Sequence, residues 1–148
     1  PVLCNIRDDA SVLAAAAGAD AVVNCVGILS EVGKNKFQDV QALGSARVAR
    51  VSSEQGVMNF VQISAIGANE DSSSNYARTK ALGEASVLKY FPEATILRPS
   101  IIFGAEDQFF NGRKYQQILH HIRKDGENGR LTLGDIYSQH PELWMWWE

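Results

Sequence analysis

Tyr76 and Lys80 stand four residues apart, and Ser64 lies upstream of both. On a helix, positions i and i+4 share a face, so the phenol and the ammonium would point into one site. A lysine held there favours phenolate over phenol and draws the tyrosine pKa down towards the range of a working acid or base. A serine at the end of a preceding strand can hydrogen-bond a substrate carbonyl. These are the parts that pass a proton while a nicotinamide cofactor passes a hydride. Chance alone gives a Tyr-x-x-x-Lys in roughly one chain in six of this size and composition, so the motif depends on its context.

The context is an ordered run of elements. Residues 57–63 read as a strand that ends on Ser64-Ala65-Ile66-Gly67-Ala68. A polar loop follows, and then a helix over about residues 75–90 carries the motif in its first turns. Pro92 breaks that helix, and residues 94–98 form the next strand, stopped by Pro99. Upstream, residues 1–6 read as a strand and residues 11–17 as a short alanine-rich helix ended by Gly18. Residues 21–26 are nearly all apolar, as expected of a strand covered on both faces. A helix over about residues 37–54 presents Phe37, Val40, Leu43, Gly44, Val48 and Val51 as an approximate stripe, and Gly56 ends it. Strands alternating with helices at this spacing predict an α/β fold: right-handed βαβ crossovers and a parallel sheet with helices on both faces.

The bulk numbers narrow the function classes. A chain of 148 residues with 45% hydrophobic content, 21% charged content and net charge -3 has the composition of one ordinary globular domain. There is no basic excess to favour nucleic acid or an anionic membrane surface. No apolar run approaches the roughly 20 residues of a membrane span. Cys4 and Cys25 both fall in predicted strands and are expected as buried, reduced thiols, which fits a reducing compartment. His120 and His121 are adjacent and give no metal-ligand spacing.

After Gly112 the character changes, so the domain reading is 1–111 followed by an unassigned tail, 112–148. Residues 113–130 are polar, with a helical pattern through Tyr115, Ile118, Leu119 and Ile122. The chain ends on Leu143-Trp144-Met145-Trp146-Trp147-Glu148. Such a terminus would cover an edge, meet a partner, or reflect a different reading frame.

Four stretches line up in order: residues 20–27 (DAVVNCVG), 61–65 (VQISA), 76–84 (YARTKALGE) and 94–104 (ATILRPSIIFG). This pattern resembles the extended and atypical short-chain dehydrogenase/reductase superfamily. Within it, the run from Leu97 to Gly104 followed by Glu106 to Asn111 is most similar to the Rossmann-type accessory subunit of respiratory complex I and its bacterial relatives. The resemblance covers residues 1–111. It implies an NADPH site, with NAD the lesser expectation. Asn5 and Ile6 match the positions beside the adenine, and Val26 and Gly27 the loop under the dinucleotide. Ser64, Tyr76 and Lys80 match the catalytic trio, with Lys80 also on the nicotinamide ribose. Pro99, Ser100 and Ile102 match the loop beside the nicotinamide.

Two functions follow from the resemblance. One is a binding role, with NADPH held as a structural ligand among complex I subunits at the matrix side of the mitochondrial inner membrane, or in a bacterial cytoplasm or membrane periphery. The other is an active NADPH-dependent reductase or epimerase that uses the trio. A third reading is that the isolated chain binds nothing and does not fold stably. The sequence also departs from the pattern, because no glycine-rich turn of the G-x-G-x-x-G type precedes residue 27. In the strand order 3-2-1-4-5-6, a strand at residues 1–6 would be the third, with the first two absent. The expectation is a partial Rossmann fold, a fragment whose pyrophosphate cradle belongs to a missing N-terminal part of the domain. A targeting signal, if one exists, would also lie there.

Overall fold

Local chemistry starts and stops each element. The computed structural model describes residues 1–100 and 102, and the chain divides into two compact units, Pro1–Ser100 and Ile101–Glu148. Helix α1 (Asp9–Ala16) begins where the Asp8 carboxylate accepts the Ser11 N–H at 2.8 Å. Gly18, at φ +70°, then turns the chain in the left-handed region. Strand β1 (Ala21–Asn24) follows. A π-helical segment (Gln38–Ala42) runs directly into α2 (Leu43–Glu54). Strand β2 (Asn59–Ile63), helix α3 (Asn75–Tyr90) and strand β3 (Thr95–Leu97) complete the described order.

The strands form one parallel sheet in the order β1-β2-β3, with Val22 beside Phe60 and Gln62 beside Ile96. Parallel neighbours need a crossover, and α2 and α3 supply the two. Their inner faces meet Val57 and Phe60 in a core built from Ala49, Val87 and Phe91, flanked by Val22 and Ile96. Phe60 stacks on Phe91 with ring centroids 4.9 Å apart. Gly83 lets α3 cross close to the π-helical segment, since a Cβ there would lie 2.5 Å from the backbone oxygen of Gln41.

Two expectations need correction. Residues 1–5 belong to no strand and are exposed, with Leu3 99% exposed; only Ile6 is buried, against Gly44. A strand is a property of a pair, and no described segment offers these residues a ladder. Among the described residues, α2 and α3 cover one face of the sheet, while Val23 (58% exposed) and Leu97 (47% exposed) sit on the other. Right-handed crossovers that step the same way put both helices on one face; a change of face needs a reversal of strand order, and these three strands have none. Finally, Cys4 and Cys25 are free but exposed. β1 ends at Asn24 because its side-chain Oδ1 takes the Val26 N–H at 3.1 Å, a local bond that competes with the ladder and leaves Cys25 outside it. The predicted boundary at residues 111/112, the helical pattern of residues 113–130 and the tryptophan-rich end lie outside the described residues.

Candidate functional site

The sheet changes character along its length. Its inward residues are apolar at the lower end (Val22, Phe60) and polar at the C-terminal ends (Asn24, Gln62, Ser64), all three polar ones buried. Asn24 Nδ2 donates to Gln62 Oε1 at 2.9 Å and to Ser45 Oγ at 3.3 Å, and Gln62 Nε2 donates to the Ile63 carbonyl at 3.1 Å. Buried polar groups are kept only where they are paired, so this chain fixes the strand ends against α2. In open parallel sheets, ligands bind outside the carboxyl ends of the strands.

Ser64, Tyr76 and Lys80 converge there. Ser64 follows β2, is 4% exposed, and donates its backbone N–H to Leu97 O at 2.7 Å. Its Oγ has no hydrogen-bond partner among the described residues. Ser74 caps α3 by accepting the Ala77 N–H, which sets Tyr76 in the first turn and Lys80 in the second. Lys80 is buried, and its Nζ donates to the Ile63 carbonyl at 3.3 Å, one residue before Ser64. The Tyr76 ring centroid is 5.9 Å from that Nζ, and Phe37 meets the ring edge-on at 5.7 Å.

The electrostatics differ from the expectation for Tyr76. Burial pushes its phenol above the ordinary tyrosine value, opposite to the lowering expected from Lys80. Burial also pulls Lys80 below the ordinary lysine value, with the Glu84 carboxylate acting in the opposite direction. Both groups are held nearer to neutral, which is the effect of a low-dielectric site.

The remaining predicted residues fall in two groups. Gly27 belongs with the trio, because a Cβ added there would lie 3.1 Å from Lys80 Nζ. Val26, Asn5 and Ile6 instead line a cleft of about 390 Å³ beside the free edge of β1, together with Val12, Val48 and Ser52. Arg47 steadies that side by donating to the Ile6 carbonyl at 2.9 Å. Pro99 accepts the Ile66 N–H at 2.9 Å, which holds the segment after β3 against the loop after Ser64. Ser100 and Ile102 are exposed.

Sequence reasoning missed Gln41 and the partnership of Glu84 with Arg98. Gln41 is 1% exposed, donates to Thr79 Oγ1 at 3.2 Å, and keeps Oε1 without a partner among the described residues. Glu84 was detectable, since it continues the Tyr76, Lys80 spacing by one more turn. Among the described residues, no group of His, Cys, Asp or Glu could hold a metal ion.

A family model described as the NAD dependent epimerase/dehydratase family matches residues 1–140. The mouse protein named NADH dehydrogenase (ubiquinone) 1 alpha subcomplex subunit 9, mitochondrial, is 41% identical over 105 residues, covering 71% of this chain and 28% of that one. The Dictyostelium discoideum protein of the same name is 36% identical over 111 residues, covering 75% of this chain and 31% of that one. The chain thus spans under a third of the length of these curated relatives. Among solved structures, a short-chain dehydrogenase/reductase superfamily protein from Agrobacterium tumefaciens with bound NAD superposes with a TM-score of 0.61. It is 24% identical, and the match covers 84% of this chain and 46% of that one. This likeness carries the fold alone, and the fold agrees with the partial Rossmann sheet described above.

Proposed function

Because the chain belongs to the NAD dependent epimerase/dehydratase family, we propose that it is part of an NAD(P)H-binding accessory subunit of respiratory complex I. The observation that carries this reading is the agreement of two facts. The mouse and Dictyostelium relatives are named as subunits of an NADH dehydrogenase (ubiquinone), and Ser64, Lys80 and Gly27 meet where a parallel sheet places a ligand.

The residues at hand fit one end of a dinucleotide. Ser64 Oγ is a buried hydroxyl with bonding capacity to spare, and Gly27 opens space over Lys80 that a side chain would fill. Lys80 would hold the nicotinamide ribose, with Tyr76 beside it and Pro99, Ser100 and Ile102 flanking the ring. Val26 and Gly27 would run beneath the dinucleotide, and Asn5 and Ile6 would meet the adenine. When bound, a reduced nicotinamide supplies hydride. The pyrophosphate has no glycine-rich turn in this chain, so its cradle would come from the rest of the domain, entering beside the free edge of β1. We assign NADPH rather than NAD, and the matrix side of the mitochondrial inner membrane. Among the described residues, no helix is long and apolar enough to cross a membrane.

We take the ligand as structural rather than reacting. Burial raises the Tyr76 phenol, which suits a proton or hydrogen-bond donor and is compatible with either kind of ligand. The test is to tag the full-length protein and extract it with a gentle detergent. Other complex I subunits are expected to co-purify, and their consistent absence would end this reading. The spare hydroxyl of Ser64 favours a second reading, an active NADPH-dependent reductase or epimerase. On that reading Tyr76→Phe removes turnover and leaves cofactor affinity within about a few fold. Undiminished turnover in the variant would remove Tyr76 from the chemistry.

A further inference from the structure

The Ile63 carbonyl, which holds Lys80, has lost the partner that a regular sheet would give it. The peptide joining Ile63 to Ser64 is trans, so its C=O points opposite its N–H. That N–H, of Ser64, goes to Leu97 O on β3 at 2.7 Å. The Ile63 carbonyl therefore faces β1. Asn24 stands beside Gln62 in the register, which would place Cys25 opposite Ile63. In a parallel ladder a carbonyl takes the N–H of the residue after the one opposite, here Val26. That N–H goes instead to Asn24 Oδ1 at 3.1 Å. The freed carbonyl receives two side-chain donors, Gln62 Nε2 at 3.1 Å and Lys80 Nζ at 3.3 Å. A carbonyl oxygen has two lone pairs, so both places are filled.

One contact sets the orientation of the whole group. A backbone N–H only donates, so the Asn24 amide must turn its oxygen to Val26 and its nitrogen to β2. Nδ2 then donates to Gln62 Oε1 at 2.9 Å, which leaves Gln62 Nε2 to reach the Ile63 carbonyl. Asn24 is 3% exposed, Gln62 2% and Lys80 8%. A cation buried that far depends on an acceptor supplied by the protein. Gly27, one residue past Val26, leaves 3.1 Å between a would-be Cβ and the ammonium. The point where the chain departs from β1 thus also sets the room above Lys80.

We propose that Asn24 is a positioning residue for Lys80: by taking the Val26 N–H onto its own side chain, it withholds that donor from the Ile63 carbonyl and leaves the carbonyl open to the ammonium. The consequence for the ribose rests on the dinucleotide-binding reading. It adds that the grip of Lys80 is set from a strand end that touches no cofactor.

Two substitutions separate this role from a plain structural brace. Asn24→Ala removes the acceptor for Val26 N–H and the donor to Gln62. Asn24→Ser also loses the donor to Gln62, but a serine hydroxyl can still take the N–H two residues on. A brace makes the two variants alike, whereas the proposal makes them differ at Lys80.

The test is reductive methylation of the full-length protein by formaldehyde, read by mass spectrometry at Lys80 against the exposed Lys89. Asn24→Ala is expected to speed Lys80 modification about tenfold, and Asn24→Ser to stay within about threefold of wild type. If Asn24→Ala does not fold, the same pair is compared in a Gln62→Met background, where no carboxamide is left unpaired. Equal rates in the alanine and serine variants, or an unchanged rate in the alanine variant, would overturn the proposal. NADPH affinity, read by fluorescence on the same samples, should weaken in Asn24→Ala and be kept in Asn24→Ser. Release of Lys80 in the alanine variant alone, from a wild-type protein that binds no NADPH, would keep the positioning role and sink the dinucleotide reading.

Discussion

Replacing Phe60 by alanine is expected to cost about 3–5 kcal/mol of folding stability. Phe60 is 3% exposed on β2, the middle strand, beneath both crossover helices, and it packs with Ala49, Val57, Val87 and Phe91. Truncation removes the ring from this core and leaves a cavity that two helices and a sheet cannot collapse to fill. It also ends the stacking with Phe91, itself worth about 0.5–1.5 kcal/mol beyond area burial. Against a typical total on the order of 5–15 kcal/mol, the loss is severe. Chemical denaturation of the full chain measures it, as a lowered midpoint at an unchanged slope. A loss below about 1 kcal/mol would mean that this core does not organise the fold.

The Gly83→Ala variant sets two effects of opposite sign against each other. Helix propensity favours alanine over glycine in a helix interior by about 1 kcal/mol. Packing opposes it, because the new Cβ would sit 2.5 Å from a backbone oxygen, that of Gln41. A backbone atom cannot rotate away, so α3 or the π-helical segment must move. Overpacking of this kind costs about 1–3 kcal/mol, occasionally more, and it wins. The motion would also disturb the bond from Gln41 to Thr79, one residue before Lys80. Gly44→Ala serves as the control. Its Cβ would meet the Ile6 side chain at 3.0–3.1 Å and the Asp39 backbone oxygen at 3.3 Å, a milder backbone approach, so a smaller loss is expected. Equal or greater stability in Gly83→Ala would show that the helices can separate at no cost.

How far the sequence could be read depends on the scale of the signal. The order of α1, β1, α2, β2, α3 and β3 followed from periodicity and from Gly18, Gly56, Pro92 and Pro99, and the sheet is parallel as the alternation predicted. The stripe on the second helix was less faithful. The π-helical turn closes from Leu43 N–H to Gln38 O and inserts an extra residue into the turn. Leu43 is 49% exposed and Gln41 is buried, the reverse of what their residue types suggest. Residues 1–5 have strand composition but no partner to pair with, and composition does not carry partners. In the site, the spacing of Tyr76 and Lys80 predicted their shared face, and Gly27 proved to abut Lys80. The depth of burial that raises Tyr76 was illegible, because it arises from packing between segments distant in sequence.

The most direct measurement is of the dinucleotide itself. The full-length protein would be purified with whatever subunits accompany it, denatured, and the released small molecules identified and counted. The account predicts NADPH in equal amount to the subunit, retained through purification as a structural ligand would be. A folded, assembled protein that releases no dinucleotide would contradict it.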